Sequence, residues 1–219
     1  MRGLVADALE TAPMLACGMA TPPHPNASMH VWPLPYEQQL ALRPLEQIDL
    51  VVIHCTELPD MAMAREYGER VLYPMREDGS GGTGNSGHYY IDRNGSIQIF
   101  VRPERVANHT HNYNLHSLGI ELVNTGRYPD WLDSRHQAMH EPYTEAQIKA
   151  LINLLTALHA DFSNLRWIAG HEDLDTEQVP ASDDSKKTVA RKRDPGPMFP
   201  WSRVLVAVPL HRLGAPAHR

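Results

Sequence analysis

The sequence predicts an α/β fold: a single domain with a central mixed β-sheet and helices packed on it. Three observations carry that reading. Ile48–Glu57, Ser117–Asn124 and Leu165–His171 are short, nearly continuous apolar runs, the pattern of strands covered on both faces. Tyr143–Phe162 is an amphipathic helix whose stripe is Ile148, Leu151, Ile152, Leu155 and Leu158. His88–Val101 alternates as a hairpin should, with Asn94-Gly95 at its turn.

Taken in order, residues 1–45 read as a Pro-rich leader or linker, since "TPPHPNASMHVWPLP" favours extended backbone. Ile48–Glu57 is the first buried strand. "MAMAREYGERVLY" after Pro59 is a short helix, and Arg76–Gly87 is a glycine-rich flexible loop. The hairpin and the strand Ser117–Asn124 follow. Thr144 and Gln147 form a capping box that starts the long helix. Leu165–His171 is the last strand and ends on a histidine. A long polar loop from 172 to 193 then leads into Asp194. The folded domain is bounded at 46–210, with 211–219 as a C-terminal tail.

The chain has 219 residues, enough for one domain with a substantial core. Its formal net charge of −6 argues against a general nucleic-acid binder. No run of about 18 apolar residues is present to cross a bilayer. Two cysteines, Cys17 and Cys55, supply neither a disulfide framework nor a Cys-rich metal site. Cys55 lies in an apolar run and reads as a small buried hydrophobe. Cys17 follows "APMLA", which faintly resembles the end of a lipoprotein signal, but Asp7 and Glu10 interrupt the apolar stretch such a signal needs.

The ionisable residues on the apolar strands point to chemistry. His54 ends "VVIH", Glu121 sits inside "GIEL", and His171 ends "WIAGH". An ionisable group on a strand fit for burial is costly unless it is paired or binds a metal. Asp194 arrives from "VARKRDPGPMFPW", where prolines and a glycine fix the backbone. Its Asp-Pro step alone is also what a turn-forming Asp would give. Two imidazoles and a carboxylate form a common catalytic zinc set that leaves one tetrahedral position open. Glu121 is then the candidate general base. Lys192, two residues before Asp194, is the candidate cation for a developing oxyanion. Lys192 also sits in the basic run "RKR", which a solvated surface would equally explain.

The motifs "VVIHCTE", "GHYYIDRNGSI", "NHTHNYNLHSLGIELVN", "AGHEDL" and "RKRDPGPMFPW" resemble, in that order, those of the zinc-dependent N-acetylmuramoyl-L-alanine amidases. The resemblance spans about Ile48 to Val204 and is nearest to the AmpD/AmiD-like branch, related to phage lysozyme-type amidases and peptidoglycan recognition proteins. It implies one Zn2+ per chain on His54, His171 and Asp194, with Glu121 moving the proton and Lys192 stabilising the tetrahedral intermediate. It also implies that His109 lines the substrate groove. The implied reaction cuts the amide between N-acetylmuramic acid and L-alanine in peptidoglycan or muropeptides. A non-catalytic muropeptide-binding module of the same fold is the alternative, although such relatives typically lack a metal ligand. The substrate and the Pro-rich leader imply a periplasmic or outer-membrane-associated protein, with a cytoplasmic recycling enzyme as the alternative. The 172–193 loop is longer than in typical relatives, and Cys55 follows His54 where some relatives carry a polar residue.

Overall fold

A computed structural model describes residues 29–214. Nine strands and four helices follow in chain order: β1 (Met29–Val31), β2 (Leu50–Cys55), α1 (Met61–Glu69), β3 (Tyr89–Ile91), β4 (Ile97–Ile99), β5 (Ser117–Leu122), α2 (Glu145–Asp161), β6 (Trp167–Gly170), α3 (His171–Leu174), β7 (Gln178–Pro180), β8 (Thr188–Ala190), α4 (Trp201–Ala207) and β9 (His211–Arg212). Seven strands form one sheet in the order β1-β4-β3-β5-β2-β6-β9, and β7 and β8 form a separate two-stranded ribbon. The sheet is mixed: β3 and β4 pair antiparallel, whereas β2 runs parallel to both β5 and β6.

The two faces of the sheet separate by strand parity. Val51 and Ile53, Leu118, Ile120 and Leu122, and Ile168 share a core with Leu151, Leu154, Leu155 and Leu158 of α2 and Val204 of α4. The opposite face carries Leu50 and Val52, Ala169, and the site described below. Beyond β3 on that second side, Tyr90 stacks on Phe100 at 4.0 Å between ring centroids, and α1 covers them through Met61 and Ala64. Helix α1 starts at Asp60, whose carboxylate accepts from Met63 N.

The start of α2 is tied to the sheet. Thr144 Oγ1 accepts from Gln147 N and Gln147 Oε1 accepts from Thr144 N, each at 3.1 Å. The buried Gln147 amide then donates to Val123 O at 2.8 Å, at the end of β5. Within α2, Leu154 takes the core position that the sequence stripe gave to Ile152, which is half-buried at the edge. The helix covers several strands, so its buried face is wider than a narrow stripe.

The ends of the fold differ from the sequence reading. Of the leader expected over residues 1–45, residues 29–45 are built into the domain: β1 pairs with β4, and Leu34, Tyr36 and Leu40 are buried. The prolines there shape a fixed path over the sheet edge. Residues 1–28, Cys17 among them, lie outside the described residues, as do 215–219. Of the expected tail, His211 and Arg212 form β9 on the sheet edge beside β6. The 172–193 segment, expected as one loop, contains α3 and the β7–β8 ribbon. No helix among the described residues is long and apolar enough to cross a membrane.

Candidate active site

Register brings the site together. His54 on β2 lies opposite Glu121 on β5, and Ile53 lies opposite Gly170 on β6. Parallel partners share a face, so His54 and Glu121 project to the same side, and His171 follows one step beyond β6. His171 opens α3 instead of ending the strand. Asp194 reaches the same point from the other end of the 172–193 segment. Its backbone carbonyl accepts from Glu172 N at 2.9 Å, and the next carbonyl, Pro195 O, accepts from Tyr143 Oη at 2.7 Å. Gly196 adopts φ +83°, a left-handed conformation that strains any residue with a Cβ, and it packs close to the Met139 side chain.

Asp194 Oδ2 lies 2.9 Å from His54 Nδ1 and 3.1 Å from His171 Nδ1. All three residues are buried, and they can offer ligand atoms within 4.8 Å of one another. Glu121 Oε1 is 4.0 Å from His54 Nδ1. Asp194 Oδ1 is buried without a hydrogen-bond partner, an arrangement that needs an explanation in a native fold.

A proton chain behind His54 supplies one. Ser117 Oγ donates to Tyr113 O at 2.7 Å, so it accepts from His109 Nε2–H at 3.2 Å. His109 Nδ1 is then an acceptor, and His54 Nε2 lies 3.0 Å from it and 3.3 Å from Thr110 Oγ1. His54 therefore carries its proton on Nε2. Its Nδ1 lone pair faces a carboxylate oxygen, a contact that a shared cation would satisfy. This is how metal-bound histidines are usually oriented.

The electrostatics agree with that assignment. Burial drives the His54 pKa down to about 4, against the pull of Asp194. Burial, with the nearby His54, His88 and His171, holds His109 well below the usual imidazole range. For Asp194, burial pushes upward, but the neighbouring His171 and His54 outweigh it and hold the carboxyl well below its usual range. A neutral His54 imidazole beside an ionised carboxylate is the pairing a metal ion requires. Burial, reinforced by the charge of Asp194, raises Glu121 to about 8, against the opposing pull of Lys192.

These groups open onto a cleft of about 1110 Å³ whose walls include Glu57, Tyr67, Tyr73, Arg127, Trp131 and Lys192. A family model described as N-acetylmuramoyl-L-alanine amidase matches residues 44–197, about two thirds of the chain. The chain belongs to the N-acetylmuramoyl-L-alanine amidase family. Solved members share its fold. AmpD superposes with a TM-score of 0.57 at 24% identity, over 84% of this chain and 96% of that one. The amidase LysC from Clostridium intestinale URNW gives 0.56 at 18%, over 85% and 100%. AmiD from E. coli, solved with anhydro-N-acetylmuramic acid-L-Ala-D-γ-Glu-L-Lys, gives 0.52 at 24%, over 76% and 59%. A search of curated protein sequences finds no match.

Within this amidase fold, His54, His171, Asp194 and Glu121 meet at one point, and Lys192 and His109 line the same cleft. The sequence reading missed Thr110 and Ser117, which orient the histidines. A signal for Ser117 was present: Ser117, Gly119 and Glu121 share one strand face. A glycine inside a strand often marks a close approach. Here a Cβ on Gly119 would sit 2.7 Å from His109 Cγ. Cys55 is buried, as its apolar run predicts, with its Sγ accepting from Glu57 N at 3.4 Å. Tyr89 packs in the core, Tyr90 packs on Phe100 and also lines the cleft, and His88 is a buried structural histidine whose Nδ1 accepts from Gly119 N at 3.0 Å.

Proposed function

We propose that this chain is a zinc-dependent amidase that hydrolyses the bond between N-acetylmuramic acid and L-alanine in peptidoglycan or its muropeptide fragments. The observation that carries the reading is a complete His54–His171–Asp194 donor set with Glu121 beside it, at the floor of a cleft. The donor set fits zinc: two imidazole nitrogens and a carboxylate, buried, with both Nδ1 atoms within 3.1 Å of the same carboxylate oxygen and the other oxygen left without a partner. When bound there, zinc supplies Lewis acidity, polarising the scissile carbonyl and acidifying a water molecule.

The protein residues divide the remaining work. Glu121, 4.0 Å from His54, takes a proton from the attacking water and returns it to the leaving amine. Lys192 offers an ammonium group to the developing oxyanion. His109 and Thr110 keep the His54 proton on Nε2, so that Nδ1 stays available to the metal. The cleft walls hold the saccharide and stem peptide away from bulk water. An envelope location suits the intact polymer as substrate, and cytoplasmic turnover suits released fragments. Cell fractionation distinguishes the two.

The test pairs metal content with turnover. Purified protein should hold about one zinc per chain. It should release free L-Ala-peptide from an N-acetylmuramoyl-peptide, detected by mass spectrometry, and a chelator should stop the release. His171→Ala should lose zinc, whereas Glu121→Ala should keep zinc and lose turnover. Zinc and muropeptide binding without release would identify a recognition module instead.

A further inference from the structure

Arg127 lines the cleft and carries a fixed positive charge, which makes it the obvious candidate for a substrate carboxylate. Its hydrogen bonds exclude that role. A guanidinium has five N–H donors. Nε–H donates to Glu57 Oε1 at 2.7 Å, and the Nη2 donors go to Glu57 Oε2 at 2.9 Å and Arg191 O at 3.3 Å. The Nη1 donors go to Ala190 O at 2.9 Å and Gln137 Oε1 at 3.2 Å. All five are used inside the protein, and the side chain is about 1% exposed.

The acceptors show what the residue does. Ala190 and Arg191 are the last two residues before Lys192, where the β7–β8 ribbon returns to the site. Two of the five donors therefore fix the carbonyls of the segment that delivers Lys192 and then Asp194. Glu57 holds Arg127 in turn, only three residues after His54. The surrounding backbone is shaped around this pair. Glu57 adopts φ +49°, a left-handed conformation that non-glycine residues seldom adopt, and Trp131 Nε1 donates to its carbonyl at 3.1 Å. Gly126 leaves room for its side chain, since a Cβ there would lie 2.7 Å from Glu57 Cγ.

We propose that Arg127, clamped by Glu57, is a positioning residue for Lys192: it holds the returning strand of the ribbon so that the lysine reaches the oxyanion. This rests on the amidase reading above and deepens it. The pair joins the loops that follow β2 and β5 to the end of β8, so three segments that carry site residues move as one. Lysine cannot replace the arginine, because its three donors cannot make a planar fork to the carboxylate and reach two carbonyls besides.

The experiment is a kinetic cycle on the zinc-loaded full chain with an N-acetylmuramoyl-L-alanyl peptide. Arg127→Lys should lower kcat by about 100-fold, the scale of a misplacement of about 1 Å. KM should stay within about threefold, as expected when ground-state binding is untouched, and zinc content should be unchanged. In a Lys192→Ala background the same substitution should change kcat by less than about threefold, because a residue that acts through another cannot add to its loss. Glu57→Gln, which keeps volume and loses the charge, should show the same pattern at smaller amplitude and serves if Arg127→Lys fails to fold. A rise in KM at constant kcat would make Arg127 a substrate anchor and overturn the proposal. Additive losses in the cycle, or loss of zinc, would overturn it too. If Lys192→Ala alone retained full turnover, the role given to the lysine would fall first and this proposal with it. Loss of turnover in Lys192→Ala together with full activity in Arg127→Lys and Glu57→Gln would refute only the positioning role.

Discussion

The Glu121 carboxyl gives a prediction that needs no substrate. In the metal-free protein, burial and the charge of Asp194 raise its pKa from an ordinary 4.5 to about 8. An acid shifted this way binds more protons folded than unfolded between those two values, so stability falls as pH rises through that window. The interval from 4.5 to about 8 corresponds to about 5 kcal/mol, of which about 2 kcal/mol falls above pH 6.5. The depressed imidazoles of His54, His88 and His109 add stability as pH rises through about 6.5, and the raised Glu172 carboxyl removes some up to about pH 7, but wild type and a Glu121 variant share these effects. Asp194, depressed from 3.8, adds stability that is lost only in acid. The stability difference between chelated wild type and Glu121→Gln, read from urea unfolding from about pH 6.5 to about pH 9, should therefore widen by about 2 kcal/mol in favour of the variant. Parallel curves for the two proteins would refute the argument that Glu121 is held in its neutral form by its surroundings.

Two further predictions address the supports of the site. Ser117→Ala removes the acceptor for His109 Nε2–H and frees the ring to change tautomer, so zinc affinity should fall by about 10- to 100-fold with little change in thermal midpoint, as read by chelator competition. Leu155→Ala, at a fully buried position of α2 against the sheet, should cost about 2–5 kcal/mol in urea unfolding while leaving zinc stoichiometry intact.

How much of this was legible in the sequence follows from how local each signal is. Apolar runs and the Thr144–Gln147 box depend on neighbours within a few residues, and the corresponding strands and α2 formed where those signals lay. The convergence of His54, Glu121 and His171 was legible because each marks the same end of a parallel strand, and parallel register carries that end to one point. Segments whose partners are distant in sequence were not legible. Residues 29–45 look like a leader because their prolines advertise extended backbone, yet Trp32 N and Leu34 N donate to Ile99 O and Phe100 O, about 65 residues away. His211 and Arg212 form a strand only because the edge of β6 is open beside them. The same limit applies to Arg127, whose acceptors come from positions 57, 137, 190 and 191.

The frame around Asp194 is stiffer than its hydrogen bonds alone require. A carboxylate near two imidazoles could be kept there by its hydrogen bonds alone, and a flexible loop would serve. The frame is far stiffer: the carbonyls of Asp194 and Pro195 are both engaged, Gly196 sits in a left-handed conformation against Met139, and Gly170 leaves just enough room for the Pro195 ring, with a Cβ there 2.8 Å from Pro195 Cδ. Stiffness of that kind matters when several groups must meet a single point whose size is fixed from outside. The zinc proposed above would set such a point, since donor distances outside a few tenths of an ångström weaken its binding. The supports divide along the chain: the Pro-Gly side holds Asp194 from behind, and the Glu57–Arg127 pair holds the approach to Lys192 from in front. Removing one support should leave the other end in place, which is why loss of Arg127 is expected to cost turnover and not metal.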